Sequence, residues 1–266
     1  MEFVTTFPQR DELEKARRRL DGQGIAYRTI DAAPGYSRVG AGALATTTEG
    51  RFAIAAETGI TNSGWVDYRA ASQTVPSTQP EPFSDDVFGW AAVMVLAPCV
   101  ADMTRIRLIA HLSGDLAKVL PYINAEMPNA FYNPYAPALT FMDGCRMIVL
   151  YPNRIAVAKA EELVDAWRTL ESVRRLANQT WAKRDQITPS DVMRTKPPAL
   201  EIFKRLPGSN CRACGEKTCM AFAVRLWRGE ISPSLCLPVF EGEHKRLKPA
   251  LMEICAGLGV MPQDAE

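Results

Sequence analysis

Hydrophobic and polar positions near the start of the chain follow a strand, helix, strand rhythm. Residues 2–7 read as a short strand, and residues 10–20 as a charged helix with Leu13, Ala16 and Leu20 at helical spacing. Gly22 and Gly24 stop that helix, after which residues 25–30 alternate as a second strand. A unit of this kind opens a ferredoxin-like or similar α/β sandwich. The glycine-rich run at 39–44 lacks the Gly-Lys-Ser/Thr ending of a P-loop and the full G-x-G-x-x-G of a dinucleotide fold, so it reads as a tight turn. Residues 51–57 (RFAIAAE) read as a further strand. Residues 72–86 then hold Pro76, Pro80 and Pro82 among Ser, Thr and acids, with little to bury, which marks a linker.

Strand patterns resume at 90–96 and 105–110, followed by a helix over 115–127 and a pair of strands at 146–150 and 155–158 around the turn at 151–154. A long amphipathic helix spans 161–184, with Leu163, Val164, Trp167, Leu170, Val173, Leu176 and Ala177 on one stripe. Residues 185–198 form a second linker whose closing Pro197-Pro198 blocks helix continuation. Short helices follow at 199–206 and 220–229, and a final one at about 244–258. The expected fold is α+β: one or two ferredoxin-like-type α/β sandwich domains, then a small, mostly helical module. The domain boundaries expected are 1–72, 87–184 and 199–260.

Composition adds little to this picture. Hydrophobic content of 47% and charged content of 23% are ordinary for a globular protein, and a net charge of +1 points to neither nucleic acid nor membrane as a partner. No apolar run reaches the roughly 18 residues of a membrane span, and MEFVTTFPQRDELEKARRRL lacks the pattern of a signal peptide, so a cytoplasmic location is expected. Locally the balance shifts: residues 193–230 carry eight Lys or Arg against three acids.

That basic region holds the chemistry. Four of the seven cysteines, Cys211, Cys214, Cys219 and Cys236, are spaced C-x2-C-x4-C-x16-C. Three thiolates within nine residues converge on one centre if the backbone loops between them, and Gly215 supplies the freedom to do so. The helix after Cys219 spans on the order of 15 Å, and the turn from Gly229 to Pro233 returns the chain so that Cys236 completes the set. Structural zinc also takes four cysteines, but in paired knuckles. Three clustered ligands with one distant suit a [4Fe-4S] cubane better.

The run LEIFKRLPGSNCRACGEKTCMAFAVRLWRGEISPSLC resembles the small four-cysteine iron-sulfur domain of the corrinoid iron-sulfur protein large subunit, the acetyl-CoA decarbonylase/synthase gamma subunit and the B subunit of Rnf-type complexes. It covers about the last quarter of the chain. The resemblance implies a [4Fe-4S] cluster on the four cysteines and an electron-transfer or reductive-activation role, in anaerobic metabolism, for a redox or client metalloprotein such as a corrinoid protein. Three positions depart from the family pattern, which has glycine at Arg212, proline at Lys217, and proline directly after the last cysteine where Leu237 stands here. Arg212 and Lys217 either raise the potential of an anionic cluster beside them or point into water.

A metallocofactor accessory or maturation role is the alternative, and no base and nucleophile pair suggests an enzyme. A corrinoid-binding barrel needs roughly 200 residues or more, so any cobalt chemistry falls to another subunit. Elsewhere, Phe131, Tyr132, Tyr135, Phe141 and Tyr151 suggest core packing or, less simply, a bed for a planar ligand. His111 reads as structural, Cys99 and Cys145 as buried inert thiols, and Cys255 as a core residue of the last helix.

Overall fold

The computed structural model describes residues 1–40, 42–71 and 76–260. In chain order they form β1 (Phe3–Thr6), α1 (Arg10–Gln23), β2 (Tyr27–Ile30), β3 (Ala43–Thr46), α2 (Thr48–Ala55), β4 (Val66–Asp67), β5 (Ala91–Cys99), β6 (Asp102–Leu112) and α3 (Leu120–Glu126). There follow β7 (Phe131–Asn133), β8 (Ala138–Asp143), β9 (Arg146–Leu150), β10 (Arg154–Ala160), α4 (Leu163–Ala182), α5 (Ala199–Phe203), α6 (Cys219–Trp227), α7 (Leu237–Phe240) and α8 (Lys248–Gly257). The fold is α+β, as the hydrophobic pattern predicts. Two compact units emerge, each drawn from two stretches of chain: residues 1–123 with 150–188, and residues 124–149 with those from Pro189 onward.

In the first unit, the N-terminal sheet has the order β2-β3-β1-β4, with antiparallel neighbours throughout. With α1 between β1 and β2, and α2 between β3 and β4, this is the split βαβ arrangement of ferredoxin-like sandwiches. The stripe Leu13, Ala16 and Leu20 is buried with Phe7, Leu44 and Ile54, and Gly24, at φ +67, closes α1 in the left-handed conformation that glycine adopts without strain.

One expectation fails here. Residues 51–57 belong largely to a helix, not a strand. Thr47 caps α2 by accepting the Gly50 N–H at 3.4 Å, and Ile54 is buried while Phe52 is exposed. A strand would have put those two side chains on one face. In the expected turn at 39–44, Gly42 takes φ +101 and leads into β3, while Ala41 lies outside the described residues. So do residues 72–75 of the proline-rich stretch.

The rest of that unit is the antiparallel set β5-β6-β10 with α4. Trp167, Leu170, Val173 and Ala177 are buried as the stripe predicts, yet α4 also buries polar groups. Arg174, 1% exposed, pairs with Glu171 at 2.8 Å and donates to the Glu81 carbonyl at 2.9 Å. Asn178 accepts the Val87 N–H and donates to Asp86. The described part of the proline-rich stretch is therefore clasped to α4 by hydrogen bonds that replace the apolar contacts it lacks. His111 is exposed on β6, and Cys99 is buried at the end of β5.

In the second unit, β9-β8-β7 lie in that order beside four helices, α5 to α8. Tyr132 and Phe141 are buried in packing while Tyr135 is 89% exposed, so these aromatics do not form one bed. Cys145 is half-buried, not fully buried as its apolar neighbours suggest. The fully buried Asn124 amide donates to the Ser190 and Val192 carbonyls, and Arg194 bonds back to Asn124. Lys196 donates to the Trp227 carbonyl at 2.6 Å and lies over the Trp227 ring, whose Nε1 donates to Pro197 at 2.8 Å. These contacts deliver the chain to α5.

Candidate metal centre

The helical core of the second unit comprises Ile202 and Leu206 from α5 and its end, Cys219, Phe222, Ala223 and Leu226 from α6, then Cys236, Val239, Leu251, Cys255 and Leu258. Two of the four predicted ligand cysteines are thus built into the hydrophobic core. Cys214 is half-buried and Cys211 exposed. All four line one pocket, together with Leu206, Pro207, Asn210, Arg212, Glu216, Thr218, Phe222 and Pro238. Among the described residues, no three His, Cys, Asp or Glu side chains are grouped so as to hold a single metal ion.

The loop that carries the first three cysteines is shaped by its backbone. Asn210, Arg212 and Gly215 have φ of +51, +61 and +82, so the chain turns back on itself three times between Gly208 and Cys219. Gly215 adopts this conformation freely, and Asn tolerates it. Arg212 has no such excuse: glycine would sit there without strain. The Gly215 N–H donates to the Arg212 carbonyl at 2.9 Å, closing the turn around Cys214.

A second set of contacts ties this loop to α6. The Asn210 Oδ1 accepts the Cys219 N–H at 2.8 Å, and Thr218 caps the helix by accepting the Ala221 N–H at 3.0 Å. Glu216, between the second and third cysteines, pairs with Arg225 on the same helix, and Arg225 also reaches Glu230 at 3.4 Å. Cys219 opens α6, where the helix dipole favours negative charge. At the other end Gly229, at φ +66, lies so close to β8 and its following turn that a Cβ would sit 2.9 Å from the Gly144 carbonyl oxygen.

Cys236 follows the turn at 229–233 and stands directly before α7. Burial pushes its thiol up to about 11, and the neighbouring Cys214, Cys219 and Cys211 push in the same direction, against a hydrogen bond from Val239. Four thiols around one pocket oppose ionisation of the buried member. A cation bound among them would reverse that balance, since coordinated thiols are deprotonated outright. The donor set fits a thiolate-ligated metal cluster. Asn210 and the Glu216–Arg225 pair are the residues that sequence reasoning missed. The available signal was an Asn directly before the first cysteine, in a stretch that had to turn sharply.

Residues 206–238 match the family model described as "Putative Fe-S cluster". Over 69 residues, 23% of this chain, the sequence is 38% identical to the acetyl-CoA decarbonylase/synthase complex subunit gamma 2 of Methanosarcina thermophila, of which it covers 15%. Over 64 residues it is 38% identical to the corrinoid/iron-sulfur protein large subunit of Moorella thermoacetica, covering 23% of this chain and 14% of that protein. The corresponding gamma subunit of Methanopyrus kandleri is 38% identical over 66 residues, again with 23% of this chain and 14% of the relative covered. The chain thus spans only a small fraction of the relatives' length. No solved structure matches the chain significantly. The region is an iron-sulfur cluster domain homologous to that of these subunits. Among the described residues no helix is long and apolar enough to cross a membrane.

Proposed function

We propose that Cys211, Cys214, Cys219 and Cys236 hold one [4Fe-4S] cluster and that the chain is an electron-transfer or reductive-activation component for a partner metalloprotein. The observation that carries this reading is the convergence of all four thiols, from three separate elements, on one pocket. A bound cubane supplies one-electron redox chemistry. The chain's own residues do the rest. Asn210 and Arg225 fix the ligand loop, the start of α6 favours the negative charge of the thiolates, and Phe222, Leu206 and Pro238 limit access of water to the buried side. Cys211 lies on the exposed side, which suits exchange with a partner.

The relatives are subunits of complexes named for acetyl-CoA decarbonylation and synthesis and for a corrinoid protein. They support a partner that handles a low-potential metallocofactor, a corrinoid protein among the candidates. Anaerobic purification should yield about four iron and four sulfide per chain. Replacing any of the four cysteines with serine should abolish the brown colour or the reduced-state paramagnetic signal. A colourless protein with one zinc would refute the reading.

A further inference from the structure

We propose that the Cys211 face of the second unit is a docking surface for a small, strongly acidic electron-transfer protein, an inference that rests on the cluster reading above. The side chains of Arg212, Lys217, Lys245 and Arg246 are all exposed and have no ion-pair or hydrogen-bond partner among the described residues. Four other cations of the same unit are paired with acids. Lys204 and Arg205 share Glu201, and Arg225 and Arg228 pair with Glu216 and Glu230.

Two of the four cations stand on the ligand loop and two on the segment after α7, which is tied by backbone to the pocket wall. Arg212 is itself part of the pocket wall, and Lys217 lies in the loop between Cys214 and Cys219. Lys245 and Arg246 follow His244, whose N–H donates at 2.9 Å to the carbonyl of Pro238, another wall residue. On either side of the buried Cys236, Leu235 and Leu237 are 45% and 44% exposed. The face thus combines exposed apolar side chains beside the metal pocket with cations that form no ion pair among the described residues.

Arg212 is the sharpest of these observations. Its backbone is held at φ +61, a strained conformation for a side chain of this kind, and the guanidinium makes no hydrogen bond or ion pair among the described residues. The turn itself serves the ligand loop; that arginine and not glycine occupies it, with its side chain unpaired, points outward. Unpaired charge around an apolar centre steers an oppositely charged partner and fixes its orientation, while the apolar centre gives modest affinity. Redox encounters use small interfaces of this character. A nucleic acid would call for a longer basic stripe with base-stacking aromatics.

The test uses the full chain with its cluster and, as probe, an acidic two-cluster ferredoxin, with binding measured by calorimetry. Affinity should fall at least about tenfold between about 20 and about 300 mM salt. Arg212→Glu with Lys217→Glu should lower it about tenfold at low salt. Arg212→Gly, which removes the charge and relieves the strain together, should weaken binding several-fold with iron and sulfide content unchanged. Lys204→Glu, at a cation already paired with Glu201 and outside the pocket lining, should leave binding unaltered. Salt-independent binding, an equal loss with Lys204→Glu, or equally tight capture of anionic phospholipid vesicles or single-stranded DNA would overturn the proposal. Iron and sulfide analysis of each variant keeps the two readings apart. A metal-free chain that still binds ferredoxin in a salt-dependent way supports the docking face and sinks the cluster.

Discussion

Asn210 is the hinge of the ligand loop, and its replacement has a magnitude that can be worked out in advance. Its Oδ1 accepts the Cys219 N–H at 2.8 Å, and its backbone sits at φ +51. In Asn210→Ala the Cys219 N–H, on a residue 8% exposed, loses its partner, which costs about 1–3 kcal/mol. Alanine in the left-handed region adds about 1 kcal/mol. The sum is roughly 2–4 kcal/mol. Asn210→Gly loses the same hydrogen bond but not the conformational freedom, so it should be milder by about 1 kcal/mol. Asn210→Asp keeps an acceptor and should be the mildest. Urea unfolding of the three variants gives the stabilities, and iron and sulfide content shows whether the loop still takes up metal. If Asn210→Ala unfolds within about 0.5 kcal/mol of the wild type, the side chain does not hold the loop. If Gly and Ala variants are equal, the backbone conformation carries no cost, and the account of Arg212 weakens with it.

Other expectations follow from buried or crowded groups. Arg174→Met leaves Glu171 buried without its partner and should cost about 3–5 kcal/mol by urea unfolding, whereas Arg174→Met with Glu171→Leu should recover much of it. Gly229→Ala meets both a positive φ and the Gly144 carbonyl oxygen at 2.9 Å, so a loss of about 2 kcal/mol or more is expected in the same assay. Burial pushes the Cys255 thiol up to about 12, above its unfolded value. The neutral thiol is what the core accepts, so stability is unaffected below about pH 8.5 and falls as pH rises from there toward 12. Urea midpoints of the metal-free chain should show this slope flattened in Cys255→Ala; an unchanged slope would refute the burial argument.

The helices with a clean apolar stripe were legible from sequence, because a period of 3.6 leaves little choice of face. In α1, Leu13, Ala16 and Leu20 are buried as read, and α4 extends over Leu163–Ala182. The stretch RFAIAAE was not, since in so short a run alanines satisfy either period and the deciding contact is the Thr47 cap upstream. Polar burial was also invisible. Arg174 and Asn178 look like the wet face of α4 until the segment at 81–87 is seen to need donors and acceptors. At the site, cysteine spacing indicated which thiols would face one pocket. It carried no word of how the loop is fastened, because Glu216–Arg225 and Asn210–Cys219 depend on a reversal of the chain that spacing does not encode.

The double grip of Arg225 on Glu216 and Glu230 moors the ligand loop to α6 through the protein's own side chains. Such a loop is a mould and not a ribbon that wraps its cargo. Ordering that these side-chain contacts supply on folding is ordering that a bound cluster would not have to impose.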